Sequence, residues 1–331
     1  MRRRPFLTLS AALAAAGLAR PGPAGAQPAS WPSRPVRIIV PFPPGGAIDA
    51  MARLLAPRLS AALGPDGRSP ATVLVENRPG AGGTVGTAAA AQSTDGHTLL
   101  MVSIAHAVNP ALYPSLPYRE EEFVPLAPVA VVPNILVVPA ARPWRNVTEL
   151  IAAARQQPGS LTYASAGNGT SIHLAGALFG VMAGVEMTHV PYRGSAPAIA
   201  DLVAGRVDAM FDSVTSAAPH VASGRLRALA VTTAHRIAAF PDLPTVAEAG
   251  VPGYALDPWF ALLAPRSLPP EAAPRVEAVV AGALRDPELR GRFAAIGAEP
   301  MEGDAAALGR LIAEETARWG GLVARLGIRP D

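Results

Sequence analysis

Two spacings of apolar residues alternate along the chain, and their order predicts an α/β protein. A β-branched run at Val36–Val40 predicts a buried strand, and apolar residues at a helical period follow it over residues 48–63. Further strands are predicted at 72–76 and 97–102, with an alanine-rich helix at 87–92 between them. Short connections between such βα units predict a parallel, doubly wound sheet.

A second series of alternating elements follows a long apolar run at residues 126–139. Pro128 and Pro133 interrupt this run, so we expect it to cross between two domains, after a loop-like stretch at 109–117. The predicted helices of the second series lie at 146–157, 172–183 and 196–204, and its predicted strands at 161–165, 187–190, 207–211 and 226–233. A strand at 257–265 then crosses back, and helices at 269–286, 287–296 and 305–326 are predicted to pack on the first domain. The predicted boundaries are 27–130 with 250–331 for domain 1, and 131–249 for domain 2.

Residues 41–49, Pro-Phe-Pro-Pro-Gly-Gly-Ala-Ile-Asp, form the segment from which a site is predicted. The prolines end the first strand, Gly45 and Gly46 allow a tight turn, and a helix begins directly afterwards. This elbow leaves unpaired N–H groups and a positive helix end at the carboxyl edge of the sheet, which attracts a small anion such as a carboxylate. Residues 166–171, Ala-Gly-Asn-Gly-Thr-Ser, predict a second elbow of the same kind.

The predicted ligand contacts come from these two elbows and from the ends of two further strands. Asp49 is predicted to bond N–H groups of its own helix rather than an anionic ligand. Two roles are equally open for Asp212: contact with a ligand amine or hydroxyl, and a bond to a nearby backbone N–H. Arg193 follows another strand, where it either contacts the ligand or pairs with an acid. The predicted ligand-binding residues are Phe42, Pro43, Gly45, Gly46, Ala47, Ser103, His106, Ala166, Gly167, Asn168, Gly169, Thr170, Ser171 and Asp212.

Motifs for catalysis and cofactor binding are missing from the sequence. Residues 80–86 read G-x-G-G-x-x-G, which is not the dinucleotide fingerprint and predicts a tight turn. The chain has neither G-x-S-x-G nor H-E-x-x-H, and Ser171 and His173, two apart, do not face each other on one helix. The 331 residues contain no cysteine and no lysine, which excludes disulfides, thiolate ligands and Schiff-base chemistry. We therefore predict no cofactor and no metal.

The N-terminus changes how the charge of the chain is interpreted. Residues 1–26 combine a run of arginines at positions 2–4, an apolar stretch and a small-residue cleavage site, and predict a twin-arginine-like export signal. Without the four arginines of this segment, 24 arginines face 25 acidic residues, a net charge of −1 instead of +3. The basic character therefore belongs to the signal, and a nucleic-acid partner is not predicted. We expect an exported, monomeric protein of the bacterial periplasm.

Five long motifs together resemble one protein family. They are residues 41–46 with Asp49, residues 76–83 (ENRPGAGG), residues 163–174 (YASAGNGTSIHL), residues 190–197 (VPYRGSAP) and residues 241–250 (PDLPTVAEAG). In this order they resemble the Bug-type substrate-binding receptors of tripartite tricarboxylate transporters, over nearly the whole chain after the predicted signal. Ser213 stands where many relatives have Asn, and Arg119 where they usually have Asp.

The resemblance implies a type II periplasmic-binding-protein fold, with two doubly wound α/β domains and a ligand cleft between them. It also implies that a carboxylate sits between residues 42–47 and 166–171, with Ser103, His106 and Asp212 at the variable end. The function expected is capture of a small organic acid or amino acid and its delivery to membrane permease subunits. Two alternatives are an exported hydrolase acting on a carboxylated substrate and a ligand-sensing partner of a membrane signalling protein.

Overall fold

The computed structural model describes residues 31–64 and 69–326, and the predicted export signal at 1–26 lies outside these residues. The first elements in chain order are β1 (Val36–Val40), α1 (Ala47–Ala62), β2 (Val73–Asn77), α2 (Thr84–Ala91), β3 (Thr98–Ser103), α3 (Ala105–Leu112) and β4 (Phe123–Val131). The second series is β5 (Asn134–Pro139), α4 (Val147–Gln156), β6 (Thr162–Ser165), α5 (Ser171–Ala183), β7 (Thr188–Pro191), α6 (Ser195–Val203), β8 (Ala209–Ser213), α7 (Val214–Ala222) and β9 (Leu226–Val231). The chain ends with β10 (Trp259–Pro265), α8 (Ala272–Arg285), α9 (Pro287–Ala295), β11 (Glu299–Pro300) and α10 (Ala305–Leu326).

Two mixed sheets divide these elements into two α/β domains. The first sheet has the order β11-β4-β10-β3-β1-β2, and the second has the order β7-β6-β8-β5-β9. In each sheet the βα units contribute parallel strands, while β10 and β5 run antiparallel to their neighbours. The chain passes from β4 to β5 through Val132 and Pro133, as the apolar run broken by prolines predicts, and returns through β10.

Buried apolar side chains fill the space between each sheet and its helices. Helices α1 and α8 pack on one face of the first sheet, where Met51, Leu55 and Leu59 of α1 are fully buried. Helix α10 packs on β4 and α3, with Trp319 fully buried, and α10 also touches α5 of the second domain. The C-terminal helices therefore pack on the first domain, as expected.

Two helices differ from the sequence-based expectation. Residues 105–112 form α3, although the second half of this helix falls in the stretch expected to be a loop because of Pro110, Pro114 and Pro117. Packing explains the difference, since Ala107, Val108 and Leu112 are buried and α10 covers this helix. Helix α7 was not predicted and starts directly after β8. None of the helices within the described ranges has the length and apolar character needed to span a bilayer.

Candidate functional site

A cavity of about 280 Å³ lies between the two sheets, at the carboxyl ends of their parallel strands. The first domain lines it with residues 42–48, Ser103 and Phe260. The second domain contributes Asn134, Ala166, Ser213 and the segments 170–172 and 193–197. A second cavity of about 430 Å³ adjoins the first and shares Phe42, Pro43 and Arg193 with it. Both elbows therefore face one interdomain cleft.

The first elbow presents the start of α1 to the cavity. Gly46 is the N-cap residue and makes no side-chain capping bond, so the first N–H groups of α1 have no cap from that residue. Gly45, at φ +89°, donates its N–H to Asp49 Oδ2 over 3.0 Å. Arg53 Nε donates to the same oxygen over 2.9 Å, and Asn77 Nδ2 donates to Oδ1 over 2.9 Å. Asp49 thus braces the turn through Gly45, which precedes α1, rather than through backbone N–H groups of its own helix as predicted.

The charge on Asp49 is stabilised by these bonds. Burial of the side chain acts to raise the pKa of Asp49, but the hydrogen bonds from Arg53, Gly45 and Asn77 outweigh it and lower the pKa below its ordinary value. The carboxylate and Arg53 form an ion pair, so the elbow adds little net charge to the cleft.

The second elbow is bonded internally. Thr170 Oγ1 accepts the N–H of His173 over 3.3 Å and donates to Gly167 O over 2.7 Å, while Ser165 Oγ accepts the N–H of Gly167 over 3.1 Å. Gly169 donates its N–H to His173 Nδ1 over 3.2 Å. This network fixes the loop while Ser171 and Ile172, at the start of α5, line the cavity.

Two histidine rings support this loop from behind. The His173 and His189 rings stack with centroids 3.8 Å apart and an interplanar angle of 3°, and His189 Nε2 lies 2.7 Å from Ser165 Oγ. Burial, together with the nearby His189, lowers the pKa of His173 to about 3, and burial lowers the pKa of His189 to about 4. Both rings are therefore neutral at neutral pH, and the stack adds no charge to the site.

A third helix start, that of α6, also borders the cleft. Gly194 is its N-cap residue at φ +105° and makes no side-chain capping bond. Ser195 lines the cavity and donates its hydroxyl to Asp212 Oδ1 over 2.9 Å. The starts of α1, α5 and α6 therefore converge on one cavity, and their positive ends all favour a negatively charged group there.

The cavity lining suits an anion with an apolar body. Arg193 is the one charged residue in the described lining, and it makes no ion pair with any described residue. Phe42, Ile48, Ile172 and Phe260 supply apolar walls, and the serines supply hydroxyl groups. No histidine or acidic side chain lines the cavity in the described part of the chain, although the hydroxyl of the lining Ser195 bonds the carboxylate of Asp212 beneath it.

Comparison with known proteins assigns the family. Residues 52–328 match the tripartite tricarboxylate transporter family receptor. The chain belongs to this receptor family. Protein BugT of Bordetella pertussis is 38% identical over 321 residues, covering 96% of this chain and 95% of that protein. The Bug resemblance inferred from the motifs is confirmed.

Solved structures agree with the assignment. The structure of R. palustris Rpa4515 with adipate superposes with a TM-score of 0.85 at 38% identity, and covers 91% of this chain and 100% of that chain. MatC from Rhodopseudomonas palustris with bound malate gives a TM-score of 0.81 at 32% identity, and covers 88% and 100%. The predicted type II binding-protein fold with two α/β domains is confirmed, although the residue boundaries of the domains stay a prediction.

Most of the predicted site residues lie around the receptor's cleft. Those that line the cavity are Phe42, Pro43, Gly45, Gly46, Ala47, Ser103, Ala166, Thr170 and Ser171. Gly167 and Asn168 line the adjoining cavity instead. Contact between these residues and a ligand stays a prediction.

His106, Gly169 and Asp212 line neither of these cavities. His106 lies in the first domain, with Nε2 at 2.7 Å from Glu120 Oε2 and its ring stacked on Tyr118. Gly169 faces the first domain, where a Cβ atom added to it would lie 2.8 Å from Leu112 Cδ2. In the receptor this glycine therefore serves the contact between the domains.

Asp212 lies directly beneath the lining. It is fully buried on β8, with Oδ1 bonded to Ser195 and Oδ2 without a hydrogen-bond partner among the described residues. Burial raises the pKa of Asp212 to about 7, even though the bonds from Ser195 and from the N–H of Ser213 act in the other direction. Of the two roles left open for Asp212, the bond from the N–H of Ser213 is the nearby backbone bond, and contact with a ligand stays a prediction. The bond with the Ser195 hydroxyl at the start of α6 was not predicted.

Sequence reasoning missed Asn134, Ser195 and Phe260 in the receptor's lining. Asn134 is a polar residue that directly follows Pro133 and opens a wholly apolar strand, which is a signal that could have marked it. Phe260 lies on β10 opposite Ser103 in the antiparallel register, and local sequence cannot reveal this pairing. Arg193 was noted without being assigned to the site.

Proposed function

We propose that this receptor is a non-catalytic, periplasmic solute receptor that binds a small carboxylate in the interdomain cleft and delivers it to the permease subunits of a tripartite transporter. The observation that carries the proposal is the convergence of the α1, α5 and α6 starts on one cavity, whose described lining holds an arginine and no acid. The adipate-bound and malate-bound relatives support a carboxylate as the head group.

The expected affinity follows from the number of donors at the head group. Each helix end contributes about 0.3–1 kcal/mol, and up to ~2 kcal/mol where the group is partly buried. Charge-assisted bonds from backbone N–H groups contribute about 1.5–3 kcal/mol each. After the costs of association, several such bonds give an affinity on the order of micromolar, near −8 kcal/mol.

A hydrolase is the rival function, and the cleft does not favour it. The hydroxyl groups of Ser103, Ser171 and Ser213 lack a lining histidine or carboxylate that could remove a proton. Ser195 bonds the buried Asp212 carboxylate, but the described lining holds no histidine that would complete a nucleophile–base–orienter set with it. His173 lies behind the loop and uses Nδ1 to accept the Gly169 N–H.

The test begins with native mass spectrometry of the purified protein and a thermal-shift screen of organic acids. A cognate acid at ~100 times its dissociation constant should stabilise the receptor by about 2.7 kcal/mol. Calorimetry then gives the affinity, and chromatography of the mixture shows whether the acid is recovered unchanged. Turnover of the bound acid, or no stabilisation by any carboxylate, would contradict the proposal. Loss of uptake in a deletion strain, restored by the full chain, tests the partnership with a permease.

A further inference from the structure

Asn134 occupies an unusual position in the cavity lining. It is fully buried at the first position of β5, and it lines the cavity. Neither Nδ2 nor Oδ1 has a hydrogen-bond partner among the described residues. Nearly all buried side-chain polar groups in folded proteins are hydrogen-bonded, and an unsatisfied pair facing a cavity indicates a missing partner.

The backbone of Asn134 is fixed independently of its side chain. Asn134 pairs with Ser213 in the antiparallel register of β5 and β8, and its carbonyl accepts the N–H of Thr232 over 2.9 Å. The backbone at Asn134 is therefore held by β8 and by Thr232, and the side-chain amide takes no part in holding it. A preorganised amide of this kind can receive a ligand group with little reorganisation.

The sheet order places Asn134 at a distance from the loop at 166–171, where the ligand carboxylate is proposed to bind. Because β8 lies between β5 and β6, Asn134 is two strand spacings, about 10 Å, across the sheet from the end of β6. The loop at 166–171 begins where β6 ends. A ligand whose carboxylate lies at that loop therefore reaches Asn134 with its far end, across the apolar middle of the cavity.

We propose that Asn134 determines specificity by binding a second polar group at the far end of the ligand. The amide supplies both a donor and an acceptor, which fits a hydroxyl, an amide or a second carboxyl group. The receptor then favours acids with a polar far end over acids that end in a methyl group, because a methyl group leaves the buried amide unsatisfied. This inference rests on the proposed binding of a carboxylate in the cleft.

The experiment compares three six-carbon acids on the full mature protein by calorimetry: hexanoate, 6-hydroxyhexanoate and adipate. The wild-type receptor is expected to bind at least one polar-ended acid about tenfold more tightly than hexanoate. Asn134→Leu, which has a similar volume and no polar atom, should reduce that ratio to less than about threefold and leave hexanoate binding within about threefold of wild type. Asn134→Asp should weaken adipate more than 6-hydroxyhexanoate, because it places a second negative charge at the same spot.

Thr232→Val is the matched control. Thr232 is equally buried directly after the adjacent strand β9, but its hydroxyl is satisfied by Leu256 O at 3.0 Å and does not line the cavity. This variant should melt below wild type and keep the wild-type ratio between the acids. Without ligand, Asn134→Leu should melt at or above wild type, because it removes an unsatisfied amide.

Each outcome decides the inference. An unchanged ratio in Asn134→Leu, an equal loss for all three acids, or failure of this variant to fold would overturn it and assign Asn134 a structural role. If none of the three acids binds the wild-type protein while other carboxylates do, specificity for this far end is overturned and the proposed function stands. If no carboxylate binds at all, the proposed function fails, and this inference fails with it.

Discussion

The two elbows follow the same local plan, a strand, a glycine turn and a helix start, but they are held in different ways. The first is braced by a charged group, the Asp49 carboxylate, which bonds Gly45, Arg53 and Asn77. The second is braced by neutral groups, the Thr170 and Ser165 hydroxyls and the His173–His189 stack. In both elbows the bracing groups lie outside the cavity lining, except for Thr170.

The two elbows also differ in the space around their glycines. In the first elbow a Cβ atom added to Gly45 or Gly46 would meet nothing within 4 Å, so the backbone borders open cavity. In the second, Gly169 touches Leu112 of the opposite domain. In the proposed binding mode, the first elbow is therefore an open platform for the head group, and the second combines ligand binding with contact between the domains.

The largest effect is expected where a negative charge is placed on the open platform. Gly46→Asp should reduce carboxylate affinity by at least about 100-fold, since two like charges about 4 Å apart repel by ~4 kcal/mol at an effective dielectric constant of 20. The fold should survive, because Gly46 has φ −88° and an acidic N-cap stabilises a helix. Calorimetry gives the affinity and thermal melting gives the stability. Gly46→Ala is the control and should stay within about threefold of wild type; unchanged binding in Gly46→Asp would exclude this elbow from the site.

A smaller effect is expected when the same alanine is placed in the second elbow. Gly169 has φ +74°, where a Cβ atom costs roughly 1–2 kcal/mol. The added atom also meets Leu112 Cδ2 at 2.8 Å, so the domains must separate slightly. Gly169→Ala should therefore lower both stability and affinity, the latter by about 3–10-fold, whereas Gly46→Ala does neither.

A double-mutant cycle with Leu112→Ala separates the two causes for Gly169. Leu112→Ala removes the close contact but not the backbone strain, so it should restore part of the lost affinity and little of the lost stability. Additive effects of the two substitutions on affinity would show that the contact with Leu112 is not the reason for the loss.

The sequence predicted what depends on local chemistry. The glycine and proline pattern identified both elbows. Asp49 was predicted to bond N–H groups of its own helix because it stands within the first turn, and it instead bonds Gly45 just before the helix. The crossing near Pro133 and the long C-terminal helix at 305–326 were also visible, since prolines and a sustained helical period leave strong local signals.

What the sequence left out depends on contacts between distant segments. Helix α3 forms despite Pro110 because α10, about 200 residues later, packs on it. His106 was expected in the cleft because it follows a strand, yet it stacks on Tyr118 inside the first domain. Asn134 and Phe260 reach the cavity through antiparallel pairings that no local pattern specifies.

The last expected effect is on stability alone: acid should act differently on the charged groups that brace the first elbow and on the neutral groups that brace the second. The pKa values of His173 and His189, about 3 and 4, lie below the ordinary value of 6.5. The unfolded chain therefore binds more protons than the folded chain between about pH 6.5 and 4. As the pH falls through that window, each histidine lowers the free energy of unfolding by up to ~1.4 kcal/mol per pH unit. Asp49 has a lowered pKa and contributes stability that is lost only below its unfolded value of about 3.8.

Asp212 changes the stability in the opposite direction as the pH falls. Its contribution is the same in wild type and in His189→Phe, so it cancels when the two proteins are compared. Its pKa is raised to about 7, so its contribution to stability is lost as the pH rises from about 4 to 7. His189→Phe keeps a ring against His173 and removes one titrating group, and both proteins share Asp212. Urea unfolding at pH 7 and pH 5 should show that wild type loses about 1–2 kcal/mol more than His189→Phe over this interval. Equal losses in the two proteins would mean that the His189 ring titrates normally in the folded state, and that the neutral stack does not hold the second elbow.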